Sequence, residues 1–121
     1  MARSILLVDD ERPLLTLLTK FLERRGYAVT GCETGQAALD LCAEAPSRFD
    51  LIVLDLKLPD LPGDQVLARL LEISETAKIL VSSGSVWTDA QVPEERRART
   101  ASILKPFLPA ELIAAMEALL A

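Results

Sequence analysis

Short apolar runs alternate with amphipathic stretches along the whole chain. The runs have the length of β-strands and show almost no polar alternation, which is typical of strands buried on both faces. We place the strands at SILLV (4–8), YAVTGC (27–32), FDLIVLD (49–55), AKILVSS (77–83) and ASILK (101–105). Between and after them, apolar residues recur at helical spacing. The helices are placed from Pro13 to a cap at Gly26, over 34–45, over 63–74 and over 109–120.

Strand and helix alternate throughout, which predicts the α/β class: a doubly wound parallel sheet with helices on both faces. No linker, internal repeat or low-complexity tract interrupts the pattern, so one domain is expected to cover residues 1–121. The fourth helical stretch, SVWTDAQVPEERRART (85–100), is weak because Pro93 lies in its middle and a charged run follows. We therefore expect a short or irregular fourth helix that begins near Pro93.

Composition narrows the function classes. The 121 residues carry a net charge of −5, half of them are hydrophobic, and none is a histidine. A packed core is expected, and a general nucleic-acid binder is not, because such a protein needs a basic surface. No apolar run approaches a membrane span, and the first residues do not resemble a signal peptide. Cys32 and Cys42 fit no metal-ligand spacing, so reduced thiols and a cytoplasmic location are the simplest interpretation.

Polar side chains follow the apolar runs at the points where the predicted strands end. They are Asp9 and Asp10 after the first strand, Asp55 after the third, Ser82 and Ser83 after the fourth, and Lys105 after the fifth. The carboxyl ends of parallel strands share one edge of the sheet, and binding sites of open α/β sheets lie outside that edge. We therefore expect these side chains to converge.

The residue types at this edge indicate phosphoryl chemistry. Three carboxylates brought together repel one another unless they share a cation. Oxygen ligands without histidine or cysteine suit a hard ion such as Mg²⁺, which also binds phosphate. A lysine and a serine hydroxyl across the site are suited to hold an anion. The set combines a carboxylate nucleophile, a divalent ion and a cationic side chain.

With these motifs the chain resembles the receiver domains of two-component response regulators. The matching segments are VDDE (8–11), LIVLDLKLPDLPG (51–63), ILVSSG (79–84) and ILKPF (103–107), and GYAVTGCETGQAALDL (26–41) matches the family's usual second strand and helix. Asp55, Pro59 and Gly63 have the family's spacing. The resemblance covers essentially the whole chain and implies a flavodoxin-like, five-stranded sheet of order 2-1-3-4-5.

The resemblance implies an acceptor and a metal site. Asp55 is expected to take the phosphoryl group from the phosphohistidine of a histidine kinase or phosphotransfer protein. Mg²⁺ is expected to be held by Asp9, Asp10, Asp55 and the backbone carbonyl of Lys57. The domain would catalyse only its own phosphorylation and dephosphorylation, so it is a switch rather than an enzyme in the usual sense.

The resemblance also implies two side chains that bind the phosphoryl group. Ser83 is assigned to this role rather than Ser82 because it directly precedes the small Gly84. Lys105 pairs with the phosphoryl oxygens, and the peptide bond between Lys105 and Pro106 is usually cis in the family.

The surface through which receiver domains usually act on an output partner matches the family less closely than the site does. In the family it runs from the fourth helix through the last strand to the last helix, here residues 85–107 and 109–120. Ser102 stands where the family often has an aromatic residue, so the usual aromatic readout is in doubt. The arginines of the fourth stretch form either a solvated face or a partner patch: Arg96, Arg97 and Arg99.

Four alternatives remain at this point. A pseudo-receiver would bind partners without phosphorylation. A haloacid-dehalogenase-type phosphatase would need a second aspartate two residues after the nucleophile, where this chain has Lys57. A flavodoxin-like electron carrier would need a phosphate-binding loop in place of DDERP (9–13). Asp10 or Glu11 could also be no more than a helix cap.

Overall fold

The computed structural model describes residues 2–121 and contains five strands and four α-helices within that range. The elements are β1 Ser4–Val8, α1 Arg12–Arg24, β2 Ala28–Cys32, α2 Gly35–Glu44, β3 Leu51–Asp55, α3 Gly63–Ile73, β4 Lys78–Ser83, β5 Thr100–Leu104 and α4 Pro109–Leu120. Two 3₁₀ turns, Asp89–Gln91 and Glu94–Arg99, stand where the fourth helix was expected.

All strand pairs in the sheet are parallel, and the strand order is β2-β1-β3-β4-β5. The predicted α/β class and strand order are therefore confirmed. Successive strands are added on one side of β1 and then on the other, so the strand order reverses between β1 and β3, and the carboxyl ends of all five strands lie along one edge. In a sheet of this kind that edge is where a site is expected.

The helices cover both faces of the sheet. One core lies between the sheet and α2 and α3, and a second lies between the sheet and α1 and α4. The central strands contact both cores, which explains why β1 and β3 are apolar without alternation. The outermost strands, β2 and β5, are only partly buried.

Element boundaries differ from the sequence-based ones by one or two residues. For example, α1 begins at Arg12 rather than Pro13, and β3 begins at Leu51 rather than at residue 49. Gly26 follows α1 with a φ of 92°, a left-handed conformation that glycine adopts without strain. No helix within residues 2–121 has both the length and the apolar character needed to cross a bilayer.

The irregular fourth segment is held to the fold by side chains rather than by helical periodicity. Pro93 precedes the second 3₁₀ turn, as expected from its effect on a helix. Val92 is buried in the core beside α3. Arg97 Nε donates hydrogen bonds to the carbonyls of Asp89 and Val92, at 3.1 and 2.9 Å.

Arg99 ties the same segment to the C-terminal end of α3. Its Nη1 donates to the carbonyls of Ser74 and Ala77 at 2.8 and 2.9 Å, and its Nη2 donates to the carbonyl of Leu71 at 3.0 Å. Arg97 and Arg99 are only partly exposed. Their guanidinium groups form hydrogen bonds within the fold, a role that neither the solvated face nor the partner patch considered from the sequence had included.

Arg99→Ala is expected to lower the free energy of unfolding by about 2 kcal/mol, because three backbone carbonyls lose their donor. Urea denaturation measures this loss. Arg96→Ala is the control, since the Arg96 side chain makes no hydrogen bond or ion pair within residues 2–121. Equal losses in the two variants would mean that Arg99 contributes only its aliphatic stem.

Candidate functional site

Three aspartates meet at the carboxyl edge of the central strands. Asp9 and Asp10 follow β1, and Asp55 is the last residue of β3. One carboxylate oxygen from each lies within 4.8 Å of the others. Asp9 and Asp55 are 7% and 5% exposed, whereas Asp10 is exposed to solvent. The pairing of Val8 with Leu54 produces this meeting, because it places the residues that follow β1 beside the end of β3.

The ammonium group of Lys105 bridges the two buried carboxylates. Its Nζ lies 2.9 Å from Asp9 Oδ2 and 3.1 Å from Asp55 Oδ2. Burial by itself lowers the pKa of Lys105, but the hydrogen bonds to Asp9 and Asp55 outweigh it and raise the pKa above the ordinary value. The lysine therefore stays charged up to alkaline pH, and its positive charge offsets part of the repulsion between the carboxylates.

Backbone groups fix the second oxygen of each buried carboxylate. Glu11 N donates to Asp9 Oδ1 at 2.9 Å, and Lys57 N donates to Asp55 Oδ1 at 3.0 Å. Both are turns in which an aspartate accepts from the N–H two residues further on. Glu11 occupies the N-cap position of α1, but its side chain makes no capping hydrogen bond. Simple helix capping therefore does not explain the acidic cluster.

The two serines at the end of β4 have different environments. Ser83 is partly exposed, and its Oγ accepts a hydrogen bond from Ser85 N at 3.2 Å. It lines an open cleft of about 400 Å³ together with Asp55 and Lys57. Ser82 is only 2% exposed and lies beneath that surface. The structure therefore places Ser83, rather than Ser82, at the cleft.

Asp60 is a site-supporting residue that the sequence reasoning missed. Its two carboxylate oxygens accept hydrogen bonds from Gly35 N and Gln36 N, both at 2.9 Å, at the start of α2. The N–H groups of Gln36 and Gly35 lower the pKa of Asp60 below its usual value. The contact anchors the loop that follows Asp55. The sequence does show an acidic residue in the turn after Pro59. It does not show the hydrogen-bond partners of that residue, which lie far away along the chain.

The β3–α3 loop also folds back closely on itself. Lys57 and Pro62 form an isolated bridge across it. A Cβ atom on Gly63 would overlap the backbone of Leu56, lying 2.7 Å from its carbonyl carbon. The close approach of Gly63 to the backbone of Leu56 therefore requires glycine at this position.

The donors at this edge suit a divalent cation. Asp9, Asp10 and Asp55 supply carboxylate oxygens at mutual distances that one ion can bridge, and soft ligands are absent from the cluster. A cleft of about 380 Å³ lined by Asp10, Asp55, Lys57 and Lys105 leaves room for water and a phosphate-sized group. The carbonyl of Lys57 belongs to the loop that Asp60 anchors.

Ser102 occupies the position where the family often has an aromatic residue. Ser102 is exposed on β5 and lines a cavity of about 190 Å³ with Ser83 and Trp87. Trp87 is partly buried and packs against the core on the α3 side.

The Lys105–Pro106 peptide is cis, as the resemblance implied. Cys32 and Cys42 are free thiols, and burial raises the pKa of Cys32 to about 12.

Comparison with known proteins gives a consistent result. The family model of the response regulator receiver domain matches residues 5–117. The transcriptional regulatory protein SrrA of Staphylococcus aureus is 35% identical over 120 residues, which are 99% of this chain and 48% of that protein. This chain therefore spans about half the length of the curated relatives it matches.

Solved structures agree with this match. A CheY-like response regulator receiver domain protein from Methanospirillum hungatei is 27% identical with a TM-score of 0.83, over 99% of this chain and 94% of that one. A response regulator receiver protein from Sinorhizobium medicae is 31% identical with a TM-score of 0.81, over 98% and 94%. The chain belongs to the response-regulator receiver domain family of two-component signalling.

Proposed function

We propose that residues 1–121 act as one phosphorylation switch whose acceptor is Asp55. The observation that carries the proposal is the state of this carboxylate: it is buried at the sheet edge, opens into a cleft and is held by Lys57 N and Lys105 Nζ. Asp9 and Asp10 lie close enough to bind a metal with it. Membership of a signalling family argues against a classical enzyme, including the phosphatase and electron-carrier alternatives.

In the proposed reaction, a carboxylate oxygen of Asp55 attacks the phosphorus of a phosphohistidine on a histidine kinase or phosphotransfer protein. The P–O bond forms as the P–N bond breaks, and the imidazole keeps the electron pair of that bond. Mg²⁺ at Asp9, Asp10, Asp55 and the Lys57 carbonyl would neutralise the charge that gathers on the phosphoryl oxygens. The same site would catalyse the later hydrolysis of the aspartyl phosphate.

Ser83 and Lys105 would then detect the phosphoryl group. Ser83 already faces the cleft that holds Asp55, and only a weak 3.2 Å bond from Ser85 N occupies its hydroxyl. Lys105 would exchange its bond to Asp55 for bonds to phosphoryl oxygens. Both moves bias a two-state equilibrium of the neighbouring surface. The output partner would contact residues 85–107 and α4, and the switch would act in the cytoplasm without binding nucleic acid itself.

The test is intact-mass spectrometry of the 121-residue chain after incubation with acetyl phosphate. One phosphoryl adduct is expected with Mg²⁺ and none in excess EDTA, because the carboxylate cluster repels the phosphodonor without the metal. A wild-type chain that gains no adduct and binds no beryllofluoride would contradict the proposal. It would favour the alternative, a pseudo-receiver that binds partners independently of phosphorylation.

A further inference from the structure

Ser82 carries a buried hydroxyl that has no partner. The residue is 2% exposed, and within residues 2–121 its Oγ is the one fully buried side-chain oxygen or nitrogen without a hydrogen bond. Ser74 offers a direct comparison, because it is equally buried and its Oγ accepts from Ala77 N at 3.0 Å. The unpartnered state is therefore particular to Ser82 and does not follow from burial alone.

The sheet register places this hydroxyl beside the proposed acceptor. Ser82 on β4 pairs directly with Asp55 on β3. Paired residues of neighbouring strands project from the same face of a sheet, and the strands lie about 4.8 Å apart. A turn about the Cα–Cβ bond of Ser82 can thus bring its hydroxyl to a carboxyl oxygen of Asp55.

The side chain of Lys105 crosses this same place. Lys105 follows β5, and β4 lies between β5 and β3 in the sheet. To reach Asp55 and Asp9 with its Nζ, the lysine must extend over the end of β4. With Lys105 Nζ on Asp55 Oδ2 and Lys57 N on Asp55 Oδ1, each acceptor oxygen already has a donor.

A buried hydroxyl without a partner is costly, and such a group in a native protein calls for an explanation. The phosphorylated state of Asp55 offers one here. When the acceptor carries a phosphoryl group, Lys105 is expected to turn toward the phosphoryl oxygens. When Asp55 Oδ1 takes the phosphoryl group, Oδ2 becomes the carbonyl oxygen of the aspartyl phosphate, and its donor Lys105 has left.

We propose that Ser82 is a third polar residue of the switch, which rests on the proposed function of Asp55. Its hydroxyl donates to Asp55 Oδ2, the carbonyl oxygen that Lys105 releases, so the bond exists only in the phosphorylated state. Ser82 therefore destabilises the resting state and stabilises the phosphorylated one. Both effects of this hydroxyl shift the equilibrium toward the phosphorylated state.

The test compares Ser82→Ala with Ser74→Ala in the 121-residue chain. Thermal melting without ligand is expected to show a rise in Tm of about 4 °C for Ser82→Ala and a similar fall for Ser74→Ala. Calorimetric titration with beryllofluoride and Mg²⁺, a stable mimic of the phosphoryl group, is expected to show about fivefold weaker binding for Ser82→Ala. Ser74→Ala should bind as the wild type does.

The outcomes separate this inference from the proposed function. A wild-type chain that does not bind beryllofluoride contradicts the proposed function itself. Wild-type binding with equal affinity in Ser82→Ala contradicts the role of Ser82 and leaves the acceptor untouched. A fall in the Tm of unliganded Ser82→Ala would show that the hydroxyl already contributes to the resting state, which also overturns the inference.

Discussion

Asp55→Asn is expected to lose the phosphoryl adduct in intact-mass spectrometry with acetyl phosphate and Mg²⁺, a fall of at least about 10³-fold in the rate of labelling. The substitution keeps the size of the side chain, and its single amide oxygen can still accept from one of the two donors, Lys57 N or Lys105 Nζ. The charge and nucleophilicity of the carboxylate are lost. Because one negative charge leaves a crowded cluster, the variant should remain folded, which thermal melting verifies.

Asp10→Asn is the matched control for this experiment. Asp10 belongs to the same acidic cluster and loses the same charge, but its side chain is exposed and, within residues 2–121, forms no ion pair with Lys105. The variant should still gain one adduct, at a higher Mg²⁺ concentration because one metal ligand is gone. Labelling that persists in Asp55→Asn and disappears in Asp10→Asn would transfer the acceptor role to Asp10 and refute the assignment.

Gly63→Ala is expected to lower the free energy of unfolding by about 3 kcal/mol, which corresponds to a fall in Tm of roughly 10 °C. The added methyl group would overlap the main chain of Leu56. Backbone atoms cannot relieve this overlap by changing a rotamer, so the loop or the start of α3 must move. Urea denaturation and thermal melting measure the loss.

Gly84→Ala is the control for Gly63→Ala, since a Cβ at Gly84 would have no atom within 4 Å. Its stability should stay within about 0.5 kcal/mol of the wild type. Equal losses in the two variants would mean that the cost at Gly63 does not come from overlap with Leu56. Overlap of the added methyl group with Leu56 also predicts that Gly63→Ala weakens Mg²⁺ binding, because Leu56 connects Asp55 to Lys57.

The local pattern of apolar and polar residues was enough to predict the strands and helices and the polar residues at the strand ends. Strand β3 was recognisable because it is buried on both faces and must therefore be apolar throughout, ending in Asp55. The break in the fourth segment was also predictable, since Pro93 acts on its own neighbours. Such effects depend on residues within a few positions of each other along the chain.

Contacts between distant segments could not be predicted in this way. Lys105 and Asp9 are 96 positions apart, and Asp60 and Gly35 are 25 apart. Arg99 belonged to a charged run whose three arginines were indistinguishable in the sequence, yet its guanidinium binds carbonyls of α3 and the loop after it. Which of several similar residues makes a contact depends on register and side-chain reach across strands.

The sequence by itself therefore determined the α/β architecture and the set of polar residues at the carboxyl edge of the sheet, because period and strand ends are local properties. Tertiary structure alone decided how those residues divide their tasks. It buried Ser82 without a partner while leaving Ser83 at the cleft, and it brought Lys105 between Asp9 and Asp55. The physical reason is that burial and pairing depend on which strands lie side by side and on the residues they bring into register.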